Sequence, residues 1–194
     1  MCAVSFRAKL AQTVYDFLDV GKSPRPADCI FVLAGKLERK TYGIRMWHFG
    51  YAAQLILSVG GLEWQQFGEL GLDSDGGLES MAAQTPAKKG HFLVRLDHNE
   101  SYCVQLRPGF LELRAEVRGA AKYLRELPVR SLLVVSSPAQ LRRVEIVFRR
   151  ALRKSGIQLT CVAVPEKPSF DSTSVRSGIW SEYRKYLLYR LLPL

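Results

Sequence analysis

One stretch, from Ser131 to Lys154, constrains the fold more than any other part of this sequence. It opens with an unbroken apolar run, Leu132 to Val135, which is typical of a strand buried on both faces of a parallel sheet. The run stops at Ser136, after which Ser137 suits the N-cap of a helix and Pro138 its first position. A strand that leads through a polar turn into a capped helix predicts an anion-binding turn in an open α/β sheet.

The helix after this turn has both an apolar face and a basic beginning. Gln140 stands three residues after Ser137, a spacing that predicts a capping box. Arg142 and Arg143 lie in the first turns, where we expect them to attract a negatively charged ligand. The alternative interpretation is that they are surface arginines, with Arg143 on a solvated stripe that continues to Lys154. The buried face is predicted from residues at helical spacing, namely Leu141, Val144, Phe148, Ala151 and Leu152.

Two earlier apolar runs, at residues 28–33 and 55–59, predict further buried strands that end in glycine-containing turns. A tight turn with positive φ explains the pair Gly60-Gly61 equally well, and a helix cap is the favoured role of Ser137. Because the carboxyl ends of parallel strands meet at one edge of a sheet, we expect the three junctions to form one anion pocket. Its predicted ligand-binding residues are Gly35, Lys36, Arg39, Ser58, Gly60, Gly61, Ser136, Ser137, Arg142 and Arg143.

The remaining segments complete an alternation of strands with helices. A helix over residues 4–20 is predicted to cover one face of the sheet, and its apolar side consists of Phe6, Leu10, Val14, Phe17 and Leu18. Two strands at 92–106 form a hairpin, and for the basic C-terminal helix we favour core packing over a position on a membrane surface. This order predicts an α/β fold, a three-layer Rossmann-like sandwich with a mostly parallel sheet and an antiparallel edge hairpin. We expect a single domain over residues 1–194, with an N-terminal helix and connector at 1–27, a core at 28–165 and a C-terminal helix at 166–194.

The net charge of +10 is the one unusual feature of the composition. A positive charge of this size is typical of proteins that bind a nucleic acid, an acidic membrane surface or a small anionic ligand. The basic residues are spread along the chain without a nucleic-acid-binding motif, so we favour a solvated basic surface. Charged residues interrupt residues 7–19, where a secretion signal would be apolar, and no apolar run approaches the ~20 residues that span a bilayer. We therefore expect a cytoplasmic protein with no transmembrane segment.

Neither the cysteines nor the histidines stand in a pattern typical of a metal site. The four cysteines include no C-x-x-C pair, and Cys29 and Cys161 fall inside apolar runs, which predicts buried free thiols. His48, His91 and His98 show no ligand spacing, so we expect each to be a packed or a surface residue. No metal site is predicted, and the sequence assembles no Ser-His-Asp or Cys-His set.

The order of these blocks resembles the YdcF-like family, which also contains the SanA and ElyC proteins. The resemblance covers roughly residues 28–165 and rests on three blocks: D-C-I-F-V-L-A-G-K followed by Arg39 and Gly43, L-I-L-S-V-G-G, and L-L-V-V-S-S followed by Leu141-Arg142-Arg143. It implies a Rossmann-like fold with a ligand crevice at the carboxyl ends of the strands. One bacterial member of the family is associated with S-adenosylmethionine, and others with cell-envelope biogenesis and its lipid carriers.

The sequence departs from the family pattern at positions that bear on chemistry. Gln140 stands where the family usually has His, Val59 where it has Ser, and of a third motif only Glu116 matches. Because glutamine cannot carry a proton near neutral pH, the departure leaves open whether chemistry follows binding. Glu116 is the predicted catalytic residue, with a surface glutamate near a helix N-terminus as the alternative.

The sequence therefore predicts a small-molecule pocket protein for a phosphate-bearing or nucleotide-like anion. The resemblance implies S-adenosylmethionine as a candidate cofactor and an envelope-related enzymatic activity. A catalytically silent ligand-binding domain is the alternative that Gln140 favours. A basic nucleic-acid-binding protein is a third hypothesis, which predicts an affinity that falls steeply with salt.

Overall fold

The computed structural model describes residues 6–60, 91–97, 101–106 and 112–192. Six strands form one sheet in the order β4-β3-β2-β1-β5-β6. The predicted elements between residues 62 and 90, together with Gly61, lie outside the described residues. In chain order the elements are α1 (Phe6–Leu18), β1 (Ala27–Val32), α2 (Leu37–His48), β2 (Ala52–Val59), β3 (Phe92–Leu96), β4 (Ser101–Gln105), α3 (Glu112–Arg125), β5 (Ser131–Ser136), α4 (Pro138–Ala151), β6 (Gln158–Ala163) and α5 (Thr173–Leu191).

The sheet is mostly parallel, and an antiparallel hairpin forms one of its two edges. Strand β1 pairs in parallel with β2 on one side and with β5 on the other, and β5 pairs in parallel with β6. Strand β3 runs antiparallel to both β2 and β4, which places the hairpin at the edge. The predicted fold class, a three-layer α/β sandwich with an antiparallel edge hairpin, is confirmed.

The alternating side chains of β1 explain why helices cover both faces of the sheet. Phe31 and its neighbours on the same face pack into a cluster with residues of α3 and α4, such as Val117 and Phe148. Ile30 and Val32 point to the opposite face, where they join α2. Since residues 29–32 of β1 are buried on both faces of the sheet, an unbroken apolar run is what this part of the strand requires.

The terminal helices pack on another helix rather than on the sheet. Helices α1 and α5 share a third apolar cluster with Ile146 of α4. The prediction that α1 covers the sheet is therefore wrong. Of its predicted apolar side, Leu18 is buried and Val14 packs in this cluster, whereas Phe6 and Leu10 are exposed and two alanines, Ala8 and Ala11, complete the buried face. The alanines follow the same helical spacing, and their small side chains let α1 approach its helical partners closely. In the part of the chain that the structure describes, no helix combines the length and hydropathy needed to cross a membrane.

Asp28 fastens the amino end of the central strand to its neighbour. Its Oδ2 accepts hydrogen bonds from the backbone amides of Arg130 and Ser131, each at 2.8 Å, and from the Ser131 hydroxyl at 2.8 Å. The bond from the amide of Arg130, with the hydroxyl bond of Ser131, holds the pKa of Asp28 below its ordinary value. This anchor lies at the amino edge of the sheet, where Asp28 and residues 127–130 line an open cavity.

Candidate functional site

The three glycine-containing and polar junctions lie at one edge of the sheet, as the sequence predicts. Strands β2, β1 and β5 are adjacent and parallel, so the turns after Val59, Val32 and Ser136 all leave the carboxyl edge. From this edge α2 crosses to one face of the sheet and α4 to the other. The gap between β1 and β5 is therefore a topological switch point, where open α/β sheets bind their ligands.

The side chain of Arg39 spans this switch point. Its Nε donates a hydrogen bond to Ser137 Oγ at 3.0 Å, and its Nη1 donates to the carbonyl oxygen of Ala34 at 2.8 Å. The residue is only 4% exposed although it carries a full positive charge. A buried guanidinium is stable only where hydrogen bonds and charges surround it, so Arg39 fixes the two turns relative to each other.

Ser137 holds the predicted N-cap position but not the predicted capping box. It precedes Pro138 at the start of α4, and its side chain makes no cap hydrogen bond. Instead its hydroxyl accepts from Arg39 and donates to Glu166 Oε1 at 2.8 Å. Gln140 contributes its backbone amide, which donates to the carbonyl of Ser137 at 3.0 Å. The hydroxyl has two charged partners, and these bind more strongly than a backbone amide.

Gly35 gives the β1–α2 turn its shape. Its φ of +121° is a conformation that residues with a side chain rarely adopt, and an added Cβ would lie 2.9 Å from Arg39 Nη1. The carbonyl of Gly35 accepts a hydrogen bond from Lys40 Nζ at 3.4 Å, and Lys40 is 2% exposed. Lys36 is open to solvent and lies 3.9 Å from Glu166 Oε1. Three cationic side chains therefore gather around a single turn.

Glu116, the predicted catalytic residue, is buried at the same edge. Its Oε1 accepts a hydrogen bond from the backbone amide of Ala34 at 2.9 Å. This bond links α3 to the end of β1 across the face opposite α2. The alternative of a surface glutamate is therefore wrong, because Glu116 is 5% exposed. In this position the carboxylate fixes the turn from one side while Arg39 fixes it from the other.

A histidine that the sequence did not single out lies at this edge as well. Ser58 Oγ is 2.8 Å from His91 Nε2, and Ser58 itself is completely buried. His91 immediately precedes β3, which runs antiparallel to β2, so the start of β3 lies beside the end of β2. The antiparallel pairing of β3 with β2 brings the imidazole of His91 to this edge. The spacing of residues along the chain does not reveal that pairing. Gly60 follows β2 at the same edge.

Ser58 and Ser136 are two buried serines on the face of the sheet that α3 and α4 cover. The register pairs Val32 with both Leu57 and Val135, so the next residue of β1, Leu33, lies between the two serines. Two strand spacings separate the serines, about 10 Å. Ser136 is completely buried, and within the described part of the chain its hydroxyl has no hydrogen-bond partner, which costs about 1–3 kcal/mol.

Arg142 and Arg143 have partners on the terminal helices. Arg143 is 8% exposed and forms a 2.8 Å ion pair with Glu182, so the interpretation as a solvated stripe is wrong for this residue. The guanidinium of Arg142 donates to the carbonyl oxygen of Phe17 and lies 4.1 Å over the ring of that residue. Both arginines therefore hold α1 and α5 against α4. The partner helices are distant in sequence, which is why local spacing did not reveal this role.

The described cysteines are structural. Cys29 and Cys161 are buried free thiols, as predicted. Burial raises the pKa of Cys29 to about 12 and the pKa of Cys161 to about 12, so neither is a thiolate near neutral pH. Among the described residues, no three potential metal ligands lie together. The described edge carries hydroxyl, carboxylate, imidazole and cationic groups.

The fold and this geometry define a class of protein, a mostly parallel α/β sandwich with polar and charged groups gathered at a topological switch point. Comparisons with family models, with curated proteins and with solved structures found no match for the chain.

The conformation of Gly35 makes a sharp test of the turn that carries Arg39. We expect Gly35→Ala to lower the free energy of unfolding by more than about 1 kcal/mol. Alanine disfavours the positive φ of this position, and its methyl group would lie too close to the Arg39 guanidinium. Gly178→Ala is the matched control, since Gly178 lies in α5 with open space around it. There the substitution is expected to raise stability by up to about 1 kcal/mol. Equal effects in urea unfolding would contradict the described turn.

Proposed function

We propose that the chain is a small-molecule-binding protein of the YdcF-like type. Its ligand carries a phosphate or another anionic group, as a nucleotide does, and occupies the crevice between the β1–α2 and β5–α4 turns. The observation that carries this proposal is the group of three cations, Lys36, Arg39 and Lys40, beside the switch point. S-adenosylmethionine remains a candidate through the family resemblance.

The charges at the crevice support an anion that also offers hydrogen-bond donors. Arg39 and Lys40 are buried, so their field is screened less than that of surface cations. Glu166 accepts from Ser137 and lies near Lys36, and Glu116 lies beyond the end of β1. A ligand with one anionic end and one end bearing hydroxyl or amino groups matches this arrangement, and nucleotides have both.

The positions of the family-like blocks also support the proposal. All three blocks consist of a strand and the turn after it, and the strands are the three adjacent parallel ones. The blocks therefore combine buried apolar residues of the three strands with the turn residues that lie at one edge of the sheet.

The proposal predicts binding of anionic ligands that depends on the cations of the β1–α2 turn. Thermal-shift measurements with pyrophosphate, ATP, S-adenosylmethionine and a polyprenyl phosphate are expected to show stabilisation by at least one of them. Lys36→Ala is expected to weaken that binding about fivefold without changing the melting temperature of the free protein, because the side chain is 63% exposed. Arg39→Gln is expected to weaken binding further and to lower stability.

Arg149→Ala is the control for these variants, since it removes an exposed cation that pairs within α4. It is expected to leave ligand binding unchanged. Equal losses from Lys36→Ala and Arg149→Ala would mean that only the net positive charge attracts the ligand, and would contradict a defined pocket.

The contact between Ser58 and His91 favours a second candidate, that the pocket is an active site. We infer that His91 exchanges protons with a bound substrate while Ser58 holds its ring in place. This histidine supplies the imidazole that Gln140 does not, and it lies at the same edge as Glu116. A positioned general acid or base accelerates a reaction about 10²–10⁴-fold.

Hydrolysis of p-nitrophenyl phosphate and p-nitrophenyl acetate tests this candidate. We expect His91→Gln to lower kcat about 100-fold or more on whichever substrate the protein hydrolyses, and Ser58→Ala to lower it less. His48→Gln is the control, because His48 lies at the end of α2 beside Trp47. Activity that survives in His91→Gln would contradict the role of this histidine. A wild-type protein inactive on both substrates would favour the catalytically silent binding domain.

A further inference from the structure

The terminal helices expose far more apolar surface than the rest of the described chain. Of the ten large hydrophobic residues that the structure leaves exposed, seven lie on α1 and α5. Leu191 is 83% exposed and Phe6 is 79% exposed. We call this surface the terminal-helix face, and its residues are Phe6, Leu10, Phe17, Trp180, Leu187, Leu188 and Leu191. Exposed apolar residues clustered in this way mark an interaction surface, whereas scattered ones do not.

Helix α5 is apolar on two opposite sides, so packing against α4 accounts for only one of them. Ile179, Tyr186 and Tyr189 are buried and satisfy the inward side. Trp180, Leu187 and Leu191 recur at intervals of seven and four residues, which places them along one outward stripe. A helix that is apolar on both sides needs a second apolar environment for its outer side.

The outward stripes of the two helices form one continuous surface. On α1, Phe6 and Leu10 lie one turn apart on the outward side, and Phe17, whose ring packs against Tyr183 and Arg142, lies where α1 meets α5. The ring of Tyr183 lies 6.1 Å from the ring of Phe17 and 6.1 Å from the ring of Trp180, so it joins the two stripes. Aromatic residues are the side chains that favour the boundary between lipid headgroups and acyl chains.

The charges around the face decide which partner fits it. Six basic residues lie on the two helices, against Asp16 and the buried Glu182, which pairs with Lys185 as well as with Arg143: Arg7, Lys9, Arg176, Arg184, Lys185 and Arg190. We propose that the terminal-helix face binds the surface of a bilayer that contains anionic lipids, with the aromatic and leucine side chains inserted among the headgroups. Both helices then lie in the plane of the interface, as basic amphipathic helices do.

A second copy of the chain fits this face less well. A symmetric dimer would bring the same basic residues of both copies together, and like charges at an interface oppose association. Insertion across the bilayer is a different arrangement, which none of the described helices has the length and hydropathy to adopt. The charge and the exposed apolar residues together match a lipid surface.

Vesicle flotation tests the proposal with the full chain. We expect binding to vesicles of phosphatidylcholine and phosphatidylglycerol in equal parts, at least about tenfold stronger than binding to phosphatidylcholine alone, and weaker in high salt. Phe6→Glu and Leu191→Glu are each expected to weaken binding about tenfold, and because both residues are highly exposed, folding should be unaffected. The fluorescence of Trp180 should shift to shorter wavelength on binding, a shift that Trp180→Phe removes.

Phe49→Glu is the matched control, because Phe49 is 74% exposed at the end of α2 and the charge change is the same. It is expected to weaken binding less than about twofold. Equal losses in Phe49→Glu and Leu191→Glu would show adsorption by net charge alone and overturn the proposal. Absence of binding to the anionic vesicles would overturn it too. A dimer in solution that Leu191→Glu dissociates would assign the face to a second copy instead.

Discussion

The hydrogen bond between Arg39 and Ser137 joins two turns that leave the sheet in opposite directions, and the geometry of the carboxyl edge depends on it. Helix α2 crosses to one face of the sheet after β1, and α4 crosses to the other after β5. A crevice opens wherever such neighbouring connections diverge. The buried guanidinium joins the two turns with a 3.0 Å hydrogen bond to Ser137, and Gly35 leaves the room that the guanidinium needs. Glu116 fixes the same turn from the α3 side.

This arrangement divides the edge into two parts with different chemistry. Beside β1 and β5 the edge carries the cations Lys36, Arg39 and Lys40, where we propose that the anionic end of a ligand binds. On the face beneath α3 the edge carries Ser58, Ser136 and the imidazole of His91, which are uncharged or titratable hydrogen-bonding groups. Leu33, at the end of the central strand, lies between the two serines.

The apolar runs were sufficient to predict the strands, and the alternation of strands with helices was sufficient to predict the layers. Both follow from local spacing, because a strand buried on two faces cannot contain many polar residues. For the candidate site, the sequence predicted only the position at the carboxyl edge of the sheet, because that position follows from the parallel pairing of neighbouring strands. Ser137, for example, has the local pattern of a capping box, yet its hydroxyl bonds to Arg39 and Glu166. The partners of His91 and Arg143 were not predictable either, since Ser58 and Glu182 lie 33 and 39 residues away from them along the chain. Contacts between elements that are distant in sequence cannot be deduced from spacing within one element.

A double-mutant cycle between Arg39 and Ser137 tests most directly whether the two turns are joined across the crevice. The free energy of unfolding would be measured for the wild type, Arg39→Gln, Ser137→Ala and the double variant. A hydrogen bond with a charged donor in a buried setting predicts a coupling energy of about 1–2 kcal/mol. Effects that add within about 0.3 kcal/mol would mean that the two side chains act independently, and would contradict the bridged switch point on which this account of the site rests.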